Sequence, residues 1–464
     1  MSLEFLERQV RADLRRLEYP ARDWITERDG PDGKPVCDVL IVGAGQSGLA
    51  LGAALKRERI HNIQLVDRHP EGKAGPWLTF ARMITLRTPK YLTGPDLGIP
   101  SLTIQSWYEA QHGDGAWGAL AYIPKETWAE YLNWYRGMND LPVRWDTTAG
   151  AIRRVDSHDC FEVPLRTASR EETLYARRVV LATGIEGSGR WRAPSFITDA
   201  LPPTHYAHTR RDIDFEALAG KRVGILGAGA SAFDNASVAL EHGAAEVRLC
   251  FRRPKLVNVN PYRWAEFVGF LKHVSDLDDA AKWRFILQLL RMGQLPPTDT
   301  FARAKTHDSF HLHPATPWTD VRMVGDEVVV ETPGGELRFD YVIAATGFVT
   351  DLSCRPELSH CHEAITLWAD RYQPPEEDAH EDLLRHPYLD DGFAFIDKTG
   401  DKPWLSHIYN YTFGCLLSHG FGGASISGMK YSLPKIAGGI TKSFFVEDQG
   451  HYFDSLCAYD VEEF

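Results

Sequence analysis

Two glycine-rich turns carry the chemistry open to this chain. The first reads Ile41-Val42-Gly43-Ala44-Gly45-Gln46-Ser47-Gly48, the second Ile225-Leu226-Gly227-Ala228-Gly229-Ala230-Ser231-Ala232. In each, the first glycine permits a tight turn and the second lets the backbone approach a pyrophosphate. The third position, Gly48 or Ala232, must be small so that a helix can pack on its strand. Gln46 and Ser47 open the helix after the first turn, Ala230 and Ser231 the helix after the second. The unsatisfied N–H groups of a helix start point at phosphate oxygens. Two such turns imply two dinucleotides, an arrangement suited to a flavin reduced in place by a nicotinamide.

The residues that follow each turn separate the two sites. The apolar run 63–66 ends on Asp67, with Arg68 beside it. An acid at that point accepts hydrogen bonds from a ribose diol, which assigns FAD to the first site. The run 247–251 ends instead on Arg252 and Arg253. Arginine there pairs with the extra phosphate of NADPH, which an acid would repel, so the second site is assigned to NADPH. The bland alternative is a solvated arginine pair. Two Ala-Thr-Gly motifs close buried apolar runs and place Thr183, Gly184, Thr346 and Gly347 as cofactor contacts. Gly422 and Gly423 precede a helix-like stretch and are expected to bring backbone amides to the flavin. His208 and Arg210 stand before the second unit, either as cofactor contacts or as part of a linker surface.

The elements that must position these residues exceed one core, because the chain has 464 residues. The pattern predicts an α/β fold with two dinucleotide-binding Rossmann-like domains, the NADPH domain inserted in the FAD domain, and a helical insertion. The expected boundaries are an N-terminal helical extension over 1–36, the first part of the FAD domain over 37–205, the NADPH domain over 206–325 with helices near 260–295, and the second part of the FAD domain over 326–464. The N-terminal arm could cover a domain or join two subunits of a homodimer. Residues 295–319 read as irregular, and 327–331 and 338–344 as strands.

Composition narrows the classes. A formal charge of -12 disfavours non-specific nucleic-acid binding. No apolar run is long enough to span a membrane, and the charged start has no signal-peptide core, so a cytoplasmic enzyme is expected. The seven cysteines form no Cys-x-x-Cys pair, which argues against a redox dithiol. His307, His311 and His313 lack partners at a metal-ligand spacing, so no metal is expected.

The ordered motifs resemble the class B flavoprotein monooxygenases: flavin-containing monooxygenases, Baeyer–Villiger monooxygenases and microbial N-hydroxylases. The resemblance runs from Asp38 to Lys442. It rests on the two glycine turns, the two Ala-Thr-Gly motifs and Gly75-Pro76-Trp77, which is similar to the family's Gly-Gly-x-Trp loop beside the flavin. It implies bound FAD, hydride from NADPH, dioxygen as co-substrate and a C4a-(hydro)peroxyflavin that oxygenates a small polar substrate. The expected reaction is N-hydroxylation of an amine or amino acid, or S-oxidation. A Baeyer–Villiger reaction on a ketone, an NADPH:acceptor reductase or NADPH oxidase, and a non-enzymatic flavin-binding protein are the alternatives.

The chain also departs from the family. Pro202 and Thr204 replace the Phe and Gly of the linker motif that ends at His208-Thr209, and Asp212-Ile213 replaces its continuation. This weakens a Baeyer–Villiger assignment. The segment Leu86-Arg87-Thr88-Pro89-Lys90 lacks the asparagine of flavin-containing monooxygenases. Thr88 or Lys90 is expected to supply that polar function, and Lys90 to stabilise reduced flavin or bind an acidic substrate. Asn258, Asn260, Tyr262 and Arg263, with the aromatics Tyr409, Tyr411 and Phe413 on the other side, complete the expected substrate pocket.

Overall fold

The structure, a computed structural model, describes residues 2–17 and 22–464. The strand Cys37–Val42 is buried along its whole length and pairs in parallel with Ile63–Val66 on one side and Glu171–Leu181 on the other. A continuous apolar run is what a strand covered on both faces requires. The far end of Glu171–Leu181 also takes Ile408–Asn410 as a parallel neighbour, so the chain returns to this sheet after a long excursion. Its near end carries the antiparallel strand Cys160–Arg166.

The excursion builds a second, five-stranded parallel sheet, in the order Phe310–His313, Glu246–Cys250, Arg222–Leu226, Tyr341–Ala344, Tyr206–His208. An antiparallel three-stranded sheet, Asp320–Val324, Glu327–Thr332 and Gly335–Phe339, packs beside it. Inbound and outbound segments touch, because Gly189–Trp191 pairs antiparallel with Phe348–Thr350. Three readings change here. The second unit continues through Ala344, so the expected break at 325 falls too early. The run 338–344 is two strands in different sheets, split at Asp340. The stretch read as irregular contains the helix Thr298–Lys305 and the edge strand Phe310–His313.

The N-terminal helix Leu3–Arg16 covers the first unit. Leu6 and Val10 are fully buried in its core, and Asp13 accepts a hydrogen bond from Ser101 Oγ at 2.8 Å. Helices Val268–His273 and Asp279–Met292 form the insertion. Trp283 packs there with Trp368, Leu416 and Leu417, so a piece of the second unit docks on the C-terminal part of the first. At the other end of the first sheet, Arg177 and Arg178 are buried and paired with Glu447 and Asp448 at the end of helix Met429–Glu447. Among the described residues no helix is long and apolar enough to cross a membrane.

Candidate functional site

The two glycine turns are built alike. A β-carbon on Gly43 would lie 2.5 Å from the Ala182 carbonyl oxygen, and one on Gly227 2.4 Å from that of Ala345. Both glycines have positive φ, +105° and +127°, which favours glycine. Each turn is thus pressed onto the Ala-Thr-Gly motif of the neighbouring strand. The second glycine faces space: among the described residues nothing lies within 4 Å of a β-carbon on Gly229, and the nearest atom to one on Gly45 is the Gly75 Cα at 3.9 Å. At the third position Gly48 would drive a β-carbon to 1.9 Å from the Gly43 oxygen, whereas the second turn accommodates the methyl of Ala232. Crowded backbone behind and an open face in front, at a helix start, is the cradle a pyrophosphate needs.

The surroundings of the first turn fit a flavin dinucleotide. Gly75, at φ +77°, brings its loop to the turn, and Trp77 behind it is buried with its indole N–H unpartnered. Thr183 Oγ1 is likewise buried, and neither group has a partner among the described residues. Orphaned buried polar groups are costly unless a ligand satisfies them. Asp67 occupies the expected place, and one of its oxygens already accepts from the Ala44 amide at 2.8 Å while the other accepts from the His69 amide at 2.9 Å. Burial opposes its ionisation, but the His69 and Ala44 hydrogen bonds outweigh it and hold the carboxyl below the usual aspartate range. A carboxylate has further lone pairs for a ribose diol. Gln46 is held by the Trp128 indole at 3.3 Å.

A cleft of about 830 Å³ joins the two units, bounded by residues from both. It brings together Gln46, Trp77 and Thr88 from the first unit with Ser231, Asn260 and Arg263 from the second, and Thr346, Gly347 and Gly422 complete the wall. Asn260 caps the short helix Pro261–Ala265, accepting from the Tyr262 and Arg263 amides. Arg263 is half-exposed and lies 3.5 Å from Glu266.

Other expected residues lie elsewhere. Lys90 donates to the carbonyls of Trp117 and Leu120 at 2.5 and 2.7 Å, and its ammonium sits over the Trp117 ring. It closes the short helix Ala116–Ala119 and is not among the residues lining the cleft. Tyr409 is buried in the first core with its hydroxyl on Ser443, at 3.0 Å. Of the aromatics read with it, only Phe413 reaches the cleft. The Gly422 and Gly423 amides are occupied within their own loop, donating to the Gly420 carbonyl and to Cys415 Sγ. Ser47 Oγ donates to the Gly423 carbonyl, so the loop does meet the first helix start.

The arginines divide by role. Arg253 donates to the Arg291 and Met292 carbonyls, both at 3.0 Å, and so ties down the end of helix Asp279–Met292. Arg252 is exposed and remains available to a phosphate. Arg68 pairs with Glu186 rather than reaching for the first turn. Arg210 stacks over Phe80 at 4.1 Å and lies 3.6 Å from the same Glu186. His208 is buried, its Nδ1 accepts from the Arg210 amide, and burial drives it down to about 4, so its imidazole is neutral at pH 7.

Sequence reasoning missed the ion pair between Arg87 and Asp234, at 2.7 Å, which crosses from one unit to the other inside the cleft. Tyr262, read as a pocket residue, does line the cleft; what was missed is its partner Phe421, whose ring lies 5.5 Å from it along the wall. No local pattern announces a partner 147 positions away.

Comparison with known proteins agrees with this architecture. A family model described as FAD-NAD(P)-binding matches residues 40–186, and one described as L-lysine 6-monooxygenase/L-ornithine 5-monooxygenase matches residues 119–267. A FAD-dependent urate hydroxylase of Xanthomonas campestris pv. campestris is 45% identical over 465 aligned residues, covering 100% of this chain and 98% of its own. An ornithine hydroxylase from Pseudomonas aeruginosa superposes with a TM-score of 0.69 at 17% identity, covering 88% of this chain and 99% of its own. An ornithine N-hydroxylase from Kutzneria sp. 744 superposes with a TM-score of 0.67 at 16% identity, covering 88% and 100%. At those identities the two structures establish the shared fold.

Proposed function

This chain belongs to the class B flavoprotein monooxygenases, and we propose that it hydroxylates urate or a closely related oxopurine, using NADPH and dioxygen. The observation that carries the substrate is the full-length, 45% likeness to a urate hydroxylase. The cleft supports it: Tyr262 and Phe421 offer aromatic surface to a flat ring, and Arg263 a cation to an anionic one.

In this reading the turn Gly43–Gly48, with Gly75, Trp77 and Thr183, holds FAD. The turn Gly227–Ala232 holds NADPH, with Arg252 on its extra phosphate. Bound FAD, once reduced by NADPH, supplies the electrons that divide dioxygen between substrate and water. The balance is substrate plus O2, NADPH and H⁺ giving hydroxylated substrate, water and NADP⁺. The residues of this chain act by orientation and by keeping water out. Thr88 and Asn260 face the cleft as polar positioning groups. Leu290 of the docked insertion and Phe413 line it with apolar surface, which limits wasteful release of peroxide.

The test is direct. FAD-loaded protein with NADPH in air should bleach the ultraviolet absorption of urate, with one NADPH oxidised per urate and one oxygen gained by mass. Unchanged urate with NADPH converted to peroxide overturns the assignment. A second reading, N-hydroxylation of a primary amine, is favoured by the family match over 119–267. Hydroxylamine formed from ornithine, lysine or cadaverine, with urate untouched, would establish it instead.

A further inference from the structure

The two units meet along a short extended segment that the reaction described above does not use. Residues 84–86 lie against 123–125: the Leu86 amide donates to the Ile123 carbonyl at 2.7 Å, and the Lys125 amide to the Ile84 carbonyl at 3.0 Å. Leu86 is buried in the first core. Its neighbours on either side turn the other way, as alternation along an extended chain requires. Thr85 Oγ1 donates to Asp299 at 3.2 Å, and Arg87 Nη2 to Asp234 at 2.7 Å. Arg82, three residues before Thr85, donates to the carbonyls of Thr209 and Arg211 at 2.8 and 2.7 Å. All four partners lie on or beside the second unit.

Asp234 is the sensitive point. It is 2% exposed, its second oxygen accepts from Thr300 at 3.3 Å, and it sits on helix Ala230–Glu241, whose first residues complete the second glycine turn. Thr88, the residue after Arg87, lines the cleft. One ion pair therefore connects the helix that receives one dinucleotide to the wall beside the other.

We propose that the segment 82–87 is a strap that sets the distance between the two dinucleotide units, with Arg87 and Asp234 as its positioning pair. The proposal needs the two cofactors of the family and is independent of the substrate. Hydride transfer requires reacting atoms about 3–3.5 Å apart, and a misplacement of about 1 Å costs on the order of 100-fold in rate. The two reacting rings are held by separate units, so a contact that fixes the units also fixes their approach. Neither side chain exchanges a proton or an electron in this role.

Two measurements test it on the full-length, FAD-loaded protein. Hydrogen exchange with and without NADP⁺ should show that nucleotide protects the amides of residues 84–88 in the wild type, and that this remote protection disappears in Asp234→Asn and Arg87→Gln. Anaerobic stopped-flow should show flavin reduction slowed by about tenfold or more in both variants, with unchanged FAD content, and mostly restored in Arg87→Lys. A purely structural contact would lower the melting temperature and leave the reduction rate per bound FAD unchanged; that result overturns the proposal. So does protection of 84–88 that persists without the pair. If neither charge variant folds, Thr85→Val and Thr300→Val carry the same two readouts, and wild-type coupling in both overturns the strap.

Discussion

Gly227 packs so closely on Ala345 that no β-carbon fits between them, and Gly43 stands in the same relation to Ala182. The strain is local to each turn. Gly227→Ala should abolish measurable reduction by NADPH while flavin content stays normal, and Gly43→Ala should yield protein largely free of flavin. Positive φ alone costs a non-glycine residue about 1–3 kcal/mol, and the carbonyl clash adds to it. Flavin absorbance per chain and NADP⁺ titration check both halves; loss of both cofactors in either variant would contradict this separation.

Arg252 and Arg253 should behave as strangers. Arg252→Ala is expected to raise the KM for NADPH about tenfold, the loss of one charge-assisted contact, and to leave NADH use unchanged. Arg253→Ala should leave that preference intact and lower stability by about 1–3 kcal/mol, because it strips a donor from the carbonyls of Arg291 and Met292. Steady-state kinetics with both nucleotides, set beside melting curves, separate the two.

Lys90→Met should weaken the fold and spare the chemistry. Its ammonium serves the carbonyls of Trp117 and Leu120, and such bonds contribute about 1.5–3 kcal/mol. The oxygenation rate of folded protein should change by less than about twofold, since positioning effects on rate come from groups near the reacting atoms. A large fall in kcat without a change in melting temperature would return Lys90 to the reaction.

Acid should unfold this protein through its buried imidazoles. Burial holds His208 and His386 at about 4 and His407 and His419 at about 3, against an ordinary 6.5. Between those values the unfolded chain binds more protons, so the stability is complete above pH 6.5 and is lost as pH falls through the folded values. Asp38, pushed up to about 7 by burial, works in the opposite direction over pH 4–7, as do Asp96, Asp234, Glu266 and Asp390, each raised by burial; the four histidines together carry the larger shifts. The melting temperature should therefore fall steadily from pH 7 to pH 4. His419 stacks on Phe393 at 3.7 Å and bonds the Asp390 carbonyl. His419→Gln should be less stable at pH 7 yet show a shallower decline; an unchanged slope would remove His419 from the account.

What could be read from the chain was what backbone geometry demands. A glycine turn between an apolar run and a helix, or an Ala-Thr-Gly at the end of a buried strand, has few ways to fold, and the structure places these motifs face to face. Long cations were less legible. Lys90, Arg253 and Arg68 sit at the expected positions along the chain, yet each found a carbonyl or carboxylate that no local pattern marks. The late boundary has a similar cause. Asp340 interrupts the apolar run to take the Arg222 guanidinium at 2.6 Å, and the chain changes sheets there. The edge strand Phe310–His313 was hidden because its histidines read as polar loop.

The pairing of Gly189–Trp191 with Phe348–Thr350 has an architectural consequence. Host and guest are joined by one pair of tethers: the chain leaves for the second unit and returns from it along these two adjacent strands. The guest could be excised and the gap closed by a short turn without rethreading the host. Both tethers would turn together about the line of these strands, and such rocking is opposed away from it by the cluster around Trp283 and Trp368 and by the Arg87–Asp234 pair.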